Sequence, residues 1–229
     1  NTTSLQGNIL NDASVVFDQA TTGAYSGVMS GTGALTKQNS GTLTFTGVNS
    51  YTGGTTINAG TLALSGSGTL SSTGAVTVNA GSFDISAITA SSQTIGDLSG
   101  SGGTVNLGAK TLIEGTSANT SYAGVITGAG AFTKQGSGTL TFTGINSYIG
   151  GTTINAGTLA LSGSGTLSST GAVTVNAGSF DISAITASSQ TIGDLSGSGG
   201  TVNLGAKTLI EGTSANTSYA GVITGAGAF

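Results

Sequence analysis

Laid against itself with an offset of 97 positions, the chain matches from Thr36–Phe132 to Thr133–Phe229 with differences only at Asn39/Gly136, Val48/Ile145 and Thr52/Ile149. Upstream the match fades. Tyr25 still faces Tyr122 and Gly27-Val28 faces Gly124-Val125, but Phe17-Asp18 stands where Glu114-Gly115 does later. The sequence thus divides into a diverged partial copy, 1–35, and two near-identical copies, 36–132 and 133–229. The pattern calls for Thr-Lys-Gln after Phe229, so the chain reads as a piece of a longer array. Asn1-Thr-Thr-Ser-Leu-Gln has neither the basic start nor the apolar run of a signal peptide.

Two all-β architectures can carry such a period: tandem Ig-like β-sandwiches of about 100 residues each, or a solenoid whose coils were duplicated as a block. A finer echo separates them. Thr56-Ile-Asn-Ala-Gly-Thr-Leu-Ala-Leu64 returns 21 residues later as Thr77-Val-Asn-Ala-Gly-Ser-Phe-Asp-Ile85, and more loosely as Thr104-Val-Asn-Leu-Gly108. Consecutive strand-turn-strand units of a sandwich have no reason to resemble one another, whereas stacked coils do. The expected fold is therefore a parallel β-helix running through 1–229 as one continuous β-solenoid, with four or five coils per copy and ten to twelve in all.

Local patterning agrees. Leu43 and Phe45 alternate with Thr42, Thr44 and Thr46; Leu62 and Leu64 flank Ala63; Phe83 and Ile85 flank Asp84. That is the period of two of a strand with one buried face. Gly and Asn between the strands tolerate the backbone angles of corners. One coil of about 20 residues buries too little apolar surface to offset the entropy of ordering it, so only a stack is stable.

Composition excludes several functions. With four Lys, no Arg and a net charge of -4, the chain has little with which to neutralise a phosphate backbone, so nucleic acid is not an expected partner. No apolar run approaches the ~20 residues of a membrane helix. Absence of Cys removes disulfides and thiolate metal sites and suits an oxidising compartment.

The segment Gly41-Thr-Leu-Thr-Phe-Thr-Gly-Val-Asn-Ser-Tyr-Thr-Gly-Gly-Thr-Thr-Ile-Asn-Ala-Gly-Thr-Leu-Ala-Leu-Ser-Gly66, and its second copy Gly138–Gly163, resembles the autotransporter-associated β-strand repeat of type V secreted passenger domains. The resemblance implies a right-handed parallel β-helix, export, passage through an outer-membrane translocator barrel lying outside this sequence, and display on the bacterial cell surface. It further implies a structural stalk within an adhesin, supporting adhesion, self-association along or between rods, or biofilm formation. The partner on a host or neighbouring cell is not indicated. The alternatives are a direct host-glycan or matrix binding module and, third, a polysaccharide-active β-helix enzyme.

No catalytic, cofactor or metal residue is expected. With no His, Cys or Arg, the groups available for catalysis are the four lysines and eight carboxylates, which form no cluster in sequence. Asp84 and its copy Asp181 should point outward between buried neighbours, as solvated charges or ligand contacts. Asp97, in Gly-Asp-Leu-Ser-Gly-Ser-Gly-Gly, occurs once per copy, too rarely for a calcium β-roll. The run Ser99-Gly-Ser-Gly-Gly103 lacks the Lys-Ser/Thr of a phosphate loop and reads as a turn. Thr42, Thr44 and Thr46 would suit ice only if neighbouring coils repeated them, but the next offers Thr61, Ala63 and Ser65. Tyr51 and Tyr148 are the candidates for stacking on sugar rings, against the plainer reading of corner packing.

Overall fold

The computed structural model describes residues 7–212 and 215–229, and among these every named strand pairing is parallel and no helix occurs. The chain winds through three faces in turn. The first face stacks Ser14–Asp18, Ala34–Gln38, Thr55–Ile57, Val76–Val78 and Leu98–Ser99, and a bridge from Gly100 to Tyr122 carries it on. It continues through Thr120–Tyr122, Thr139–Phe142, Thr158–Gly163, Ser179–Ile185, Thr201–Asn203 and Val222–Thr224. These eleven described rungs, about 4.8 Å apart, give a rod roughly 48 Å long. A solenoid of this kind, rather than tandem sandwiches, is the fold.

Registers between successive coils fall at 19 to 22 residues, as in Leu43↔Leu62, Leu62↔Phe83 and Phe83↔Val105. The alternation read from the sequence puts Leu43, Leu62, Phe83, Val105 and Ile126 in one fully buried ladder on the second face. Each such side chain contributes on the order of 1.5–3 kcal/mol by leaving water. The cost of an open strand edge is confined to the two ends of the stack.

Where strand pairing is reduced to single bridges, amide side chains take the place of the ladder. Val48 meets Thr69, and Ile145 meets Thr166, through single bridges. Beside the first, buried Asn49 accepts the Met29 N–H at 2.9 Å and donates to the carbonyls of Gly47 and Thr69 at 2.9 and 3.1 Å. Asn146 repeats this with Ile126, Gly144 and Thr166. A buried backbone group left unpaired would be costly, and these two side chains supply the partners.

The copies do not stack in phase. Thr42–Phe45 belongs to the second face, with Gly23–Tyr25 below and Thr61–Gly66 above; its copy Thr139–Phe142 belongs to the first face, which continues from Leu98–Ser99. Likewise Thr55–Ile57 lies on the first face, and Thr152–Ile154 on the third, with Ser92–Ile95, Thr111–Glu114 and Phe132–Lys134. One copy therefore spans four coils and two faces of a fifth, and the second copy is turned by a third of a revolution. The echoes divide accordingly. Thr56 pairs with Thr77 directly, but Thr104 pairs with Ser82 on a different face from Thr77, which pairs with Ser99. The looser echo was thus not a place in the cross-section, because the same strand-turn sequence serves on any of the three sides.

Candidate functional site

The tyrosines are core residues. Tyr51 and Tyr148 are 1% and 2% exposed, and each hydroxyl lies 2.6 Å from a threonine hydroxyl four residues on, Thr55 or Thr152. Burial raises the pKa of both phenols above the ordinary tyrosine value. The ring of Tyr148 tilts against Phe132 at 6.4 Å. Of the two readings, their burial matches corner packing and leaves no exposed ring to stack on a sugar, so they are not surface contacts: the corner turns the ring inward, because a side chain that large is stabilised more by the core than by solvent.

Asp84 and Asp181 stand half-buried on the outer surface. Asp84 accepts the Ser86 N–H at 2.8 Å through one oxygen and the Asn106 amide of the next coil at 3.0 Å through the other, and Asp181 does the same with Ser183 and Asn203. Both fasten adjacent coils rather than stand free. The threonine array is broken as the sequence indicates, since Thr42 pairs with Thr61 but Thr44 with Ala63.

Among the described residues, no group of three or more His, Cys, Asp or Glu side chains gathers at one place. A groove of about 400 Å³ lies in the second copy, where Ile145 borders hydroxyls of Ser147, Thr166, Ser168, Ser189 and Thr191. No charge lines it. Ile145 and Ile149, two of the three positions where the copies differ, are both more than half exposed.

The chemistry that the sequence reading passed over lies at the junction of the copies. Glu114, on the third face, pairs in register with Lys134 of the next coil, and both side chains are fully buried with Nζ 3.1 Å from Oε2. The contact is ionic, without hydrogen-bond alignment. Lys134 Nζ also donates to the Gly136 carbonyl. Asp97, at the corner one coil below, lies against Glu114; the Gly115 N–H bonds the Gly96 carbonyl at 3.0 Å and draws the two corners together. Burial lifts the Glu114 carboxyl to about 7, Lys134 works against that rise and Asp97 adds to it. The buried side-chain oxygens left without a hydrogen bond among the described residues are Asp97 Oδ1, both oxygens of Glu114, Thr116 Oγ1 and Thr120 Oγ1. A signal for the pair was present: Leu112 and Glu114 share an inward parity, Phe132 and Lys134 share another, and twenty positions separate the charges.

Against known sequences, the passenger-associated-transport-repeat family matches residues 35–64 and 132–161, one match at the start of each copy. The chain carries autotransporter passenger repeats. A second match is the Adhesin BmaC autotransporter of Brucella suis biovar 1 (strain 1330), 41% identical over 133 residues, which cover 56% of this chain and 4% of that protein. The passenger segment thus spans a small fraction of the adhesin it resembles. No solved structure matches. Each repeat match takes in all or part of four strands, from Ala34–Gln38 to Thr61–Gly66 in the first copy, so the family pattern corresponds to about one and a half coils of the rod.

Proposed function

We propose that this passenger segment is a spacer in a bacterial surface adhesin, holding a contact region away from an outer membrane in which a translocator barrel, encoded elsewhere, is embedded. The observation that carries the reading is the near-identity of two copies presented on different faces. A spacer works by length and is indifferent to which side a given residue faces, whereas a single active or binding site gains nothing from a copy turned a third of a revolution away. The adhesin name of the matched relative supports a structural role.

Self-association of rods belongs to the same proposal. The surface carries few charges, and exposed Val48, Ile145 and Ile149 lie on it, so rods meeting side by side face little electrostatic repulsion. The competing reading, a module that binds glycan or matrix directly, loses its tyrosines to the core and is left with the hydroxyl-lined groove beside Ile145.

The test is deletion of residues 36–132 from the full-length parent displayed on cells. A spacer keeps its adhesion and loses roughly 22 Å of reach, four and two-thirds coils at about 4.8 Å each. Abolished adhesion with normal surface display would reject the spacer in favour of a binding module.

A further inference from the structure

We propose that the junction between the two copies is a proton-controlled latch, in which Lys134 pairs with Glu114, Asp97 lies against the same carboxyl, and the excess negative charge is cancelled by a proton held between the two carboxyls. One ammonium cannot neutralise two carboxylates, and the buried pair Glu114 and Lys134 has no access to water. The charged groups facing Glu114 are Lys134 on the strand above and Asp97 at the corner below. Asp97 is half-buried with its Oδ1 enclosed, a second negative charge at that oxygen beside Glu114 would be unfavourable, and like charges at close range favour keeping one proton. The unpartnered oxygens of Asp97 and Glu114 are the places where that proton sits and forms the missing hydrogen bond.

The direction of the effect follows from linkage. The Glu114 carboxyl holds its proton to about pH 7 in the folded junction and to about 4.5 when unfolded. The latch is therefore fully closed below the unfolded value and loses stability as pH rises through the folded one. Deprotonation sends the proton to solvent and leaves the junction with an uncompensated carboxylate, so the coil that begins at Thr133 separates more readily from the coil below. The rest of the rod contains no such arrangement among its described residues: Lys37, the counterpart of Lys134, pairs with Phe17, and Glu211, the counterpart of Glu114, bonds the backbone N–H of Leu195. The inference concerns the junction alone and stands apart from the spacer reading.

Amide hydrogen exchange on the 229-residue chain tests it. The N–H groups of Gln135 and Gly136 bond the Glu114 carbonyl at 2.8 and 3.3 Å and report opening at the junction. After correction for the intrinsic pH dependence of exchange, their opening constant should rise about tenfold between pH 6 and pH 8, while Thr104 and Val105 stay level. Asp97→Asn should flatten the rise, and Glu114→Gln should do so independently. Asp194→Asn, the identical position in the second copy, should leave it intact. A wild-type junction that opens equally at both pH values, or a rise that persists in both Asp97→Asn and Glu114→Gln, would overturn the latch. Protection restored at pH 8 by calcium, and lost again in Asp97→Asn, would overturn it in favour of a bound cation.

Discussion

Lys37 and Lys134 hold the same place in successive copies, yet one stands over Phe17 and the other over Glu114. Each ammonium is fully buried, and each finds a different solution. Lys37 donates to the carbonyls of Gln38, Asn39 and Ala59 at 2.9, 2.7 and 3.3 Å, and the aromatic ring below it packs with Tyr25 and Phe45. Burial lowers its pKa, and Asp18 acts in the opposite sense. Lys134 instead meets a carboxylate. The backbone follows the change: Asn39 turns with φ at 65°, while at Gly136 a Cβ would collide with the Thr116 carbonyl. One of the three differences between the copies is thereby explained. The lesson is that sequence identity within a copy does not fix the environment of its first coil, because the coil below belongs to a different unit.

The largest expected separation of the two junctions comes from Lys134→Met. It leaves Glu114 buried, with Asp97 beside it, and no cation, and should cost about 3–5 kcal/mol of local stability, whereas Lys37→Met abandons no buried carboxylate, only carbonyl acceptors, and should cost about 1–3 kcal/mol. Denaturant unfolding followed by hydrogen exchange at the two junctions measures both. A comparable loss at the two sites would break the contrast.

Next in size is Gly136→Ala, which should destabilise by about 1–3 kcal/mol through overpacking against Thr116. Asn39→Gly should stay within ~0.5 kcal/mol, since its left-handed angle suits glycine. Thermal unfolding followed by circular dichroism ranks the pair, and equal effects would mean that the two turns are alike after all.

Smaller still, Tyr51→Phe and Tyr148→Phe should each cost about 1 kcal/mol and match one another, because both hydroxyls make the same internal contact with a threonine. Unequal losses in urea titrations would show that the difference between the copies extends past their first coils. The smallest net effect is expected for Glu114→Met combined with Lys134→Met. Replacing a buried ion pair with apolar side chains is commonly neutral or stabilising, so the double variant should fall within ~1 kcal/mol of the parent and far above Lys134→Met alone.

The strand faces were readable because Leu43 with Phe45, Leu62 with Leu64 and Phe83 with Ile85 obey a strict alternation, and a single buried face leaves no other register. The phase of the copies was encoded as well, since 97 falls between four and five coils of 21, but a period counted along the chain does not say which face a strand occupies. The sequence left two readings open for Tyr51 because an aromatic at a corner can turn either way, and the choice depends on Thr55 and the ring's neighbours rather than on its own segment. Glu114 and Lys134 escaped notice because they lie in different copies, where comparing the copies conceals contacts made across their boundary.

The second copy continues the same stack turned by a third of a revolution. Spin-label distances decide it, in a chain whose natural sequence has no cysteine. Labels at Thr56→Cys and Thr141→Cys lie four rungs apart on one face and should give a narrow distribution near the axial spacing of roughly 19 Å, broadened only by the label arms. Labels at the equivalent positions Thr44→Cys and Thr141→Cys should lie farther apart, on different faces. The reverse order, with the equivalent pair aligned along one side and the Thr56 pair splayed across two, would contradict the rotated stack.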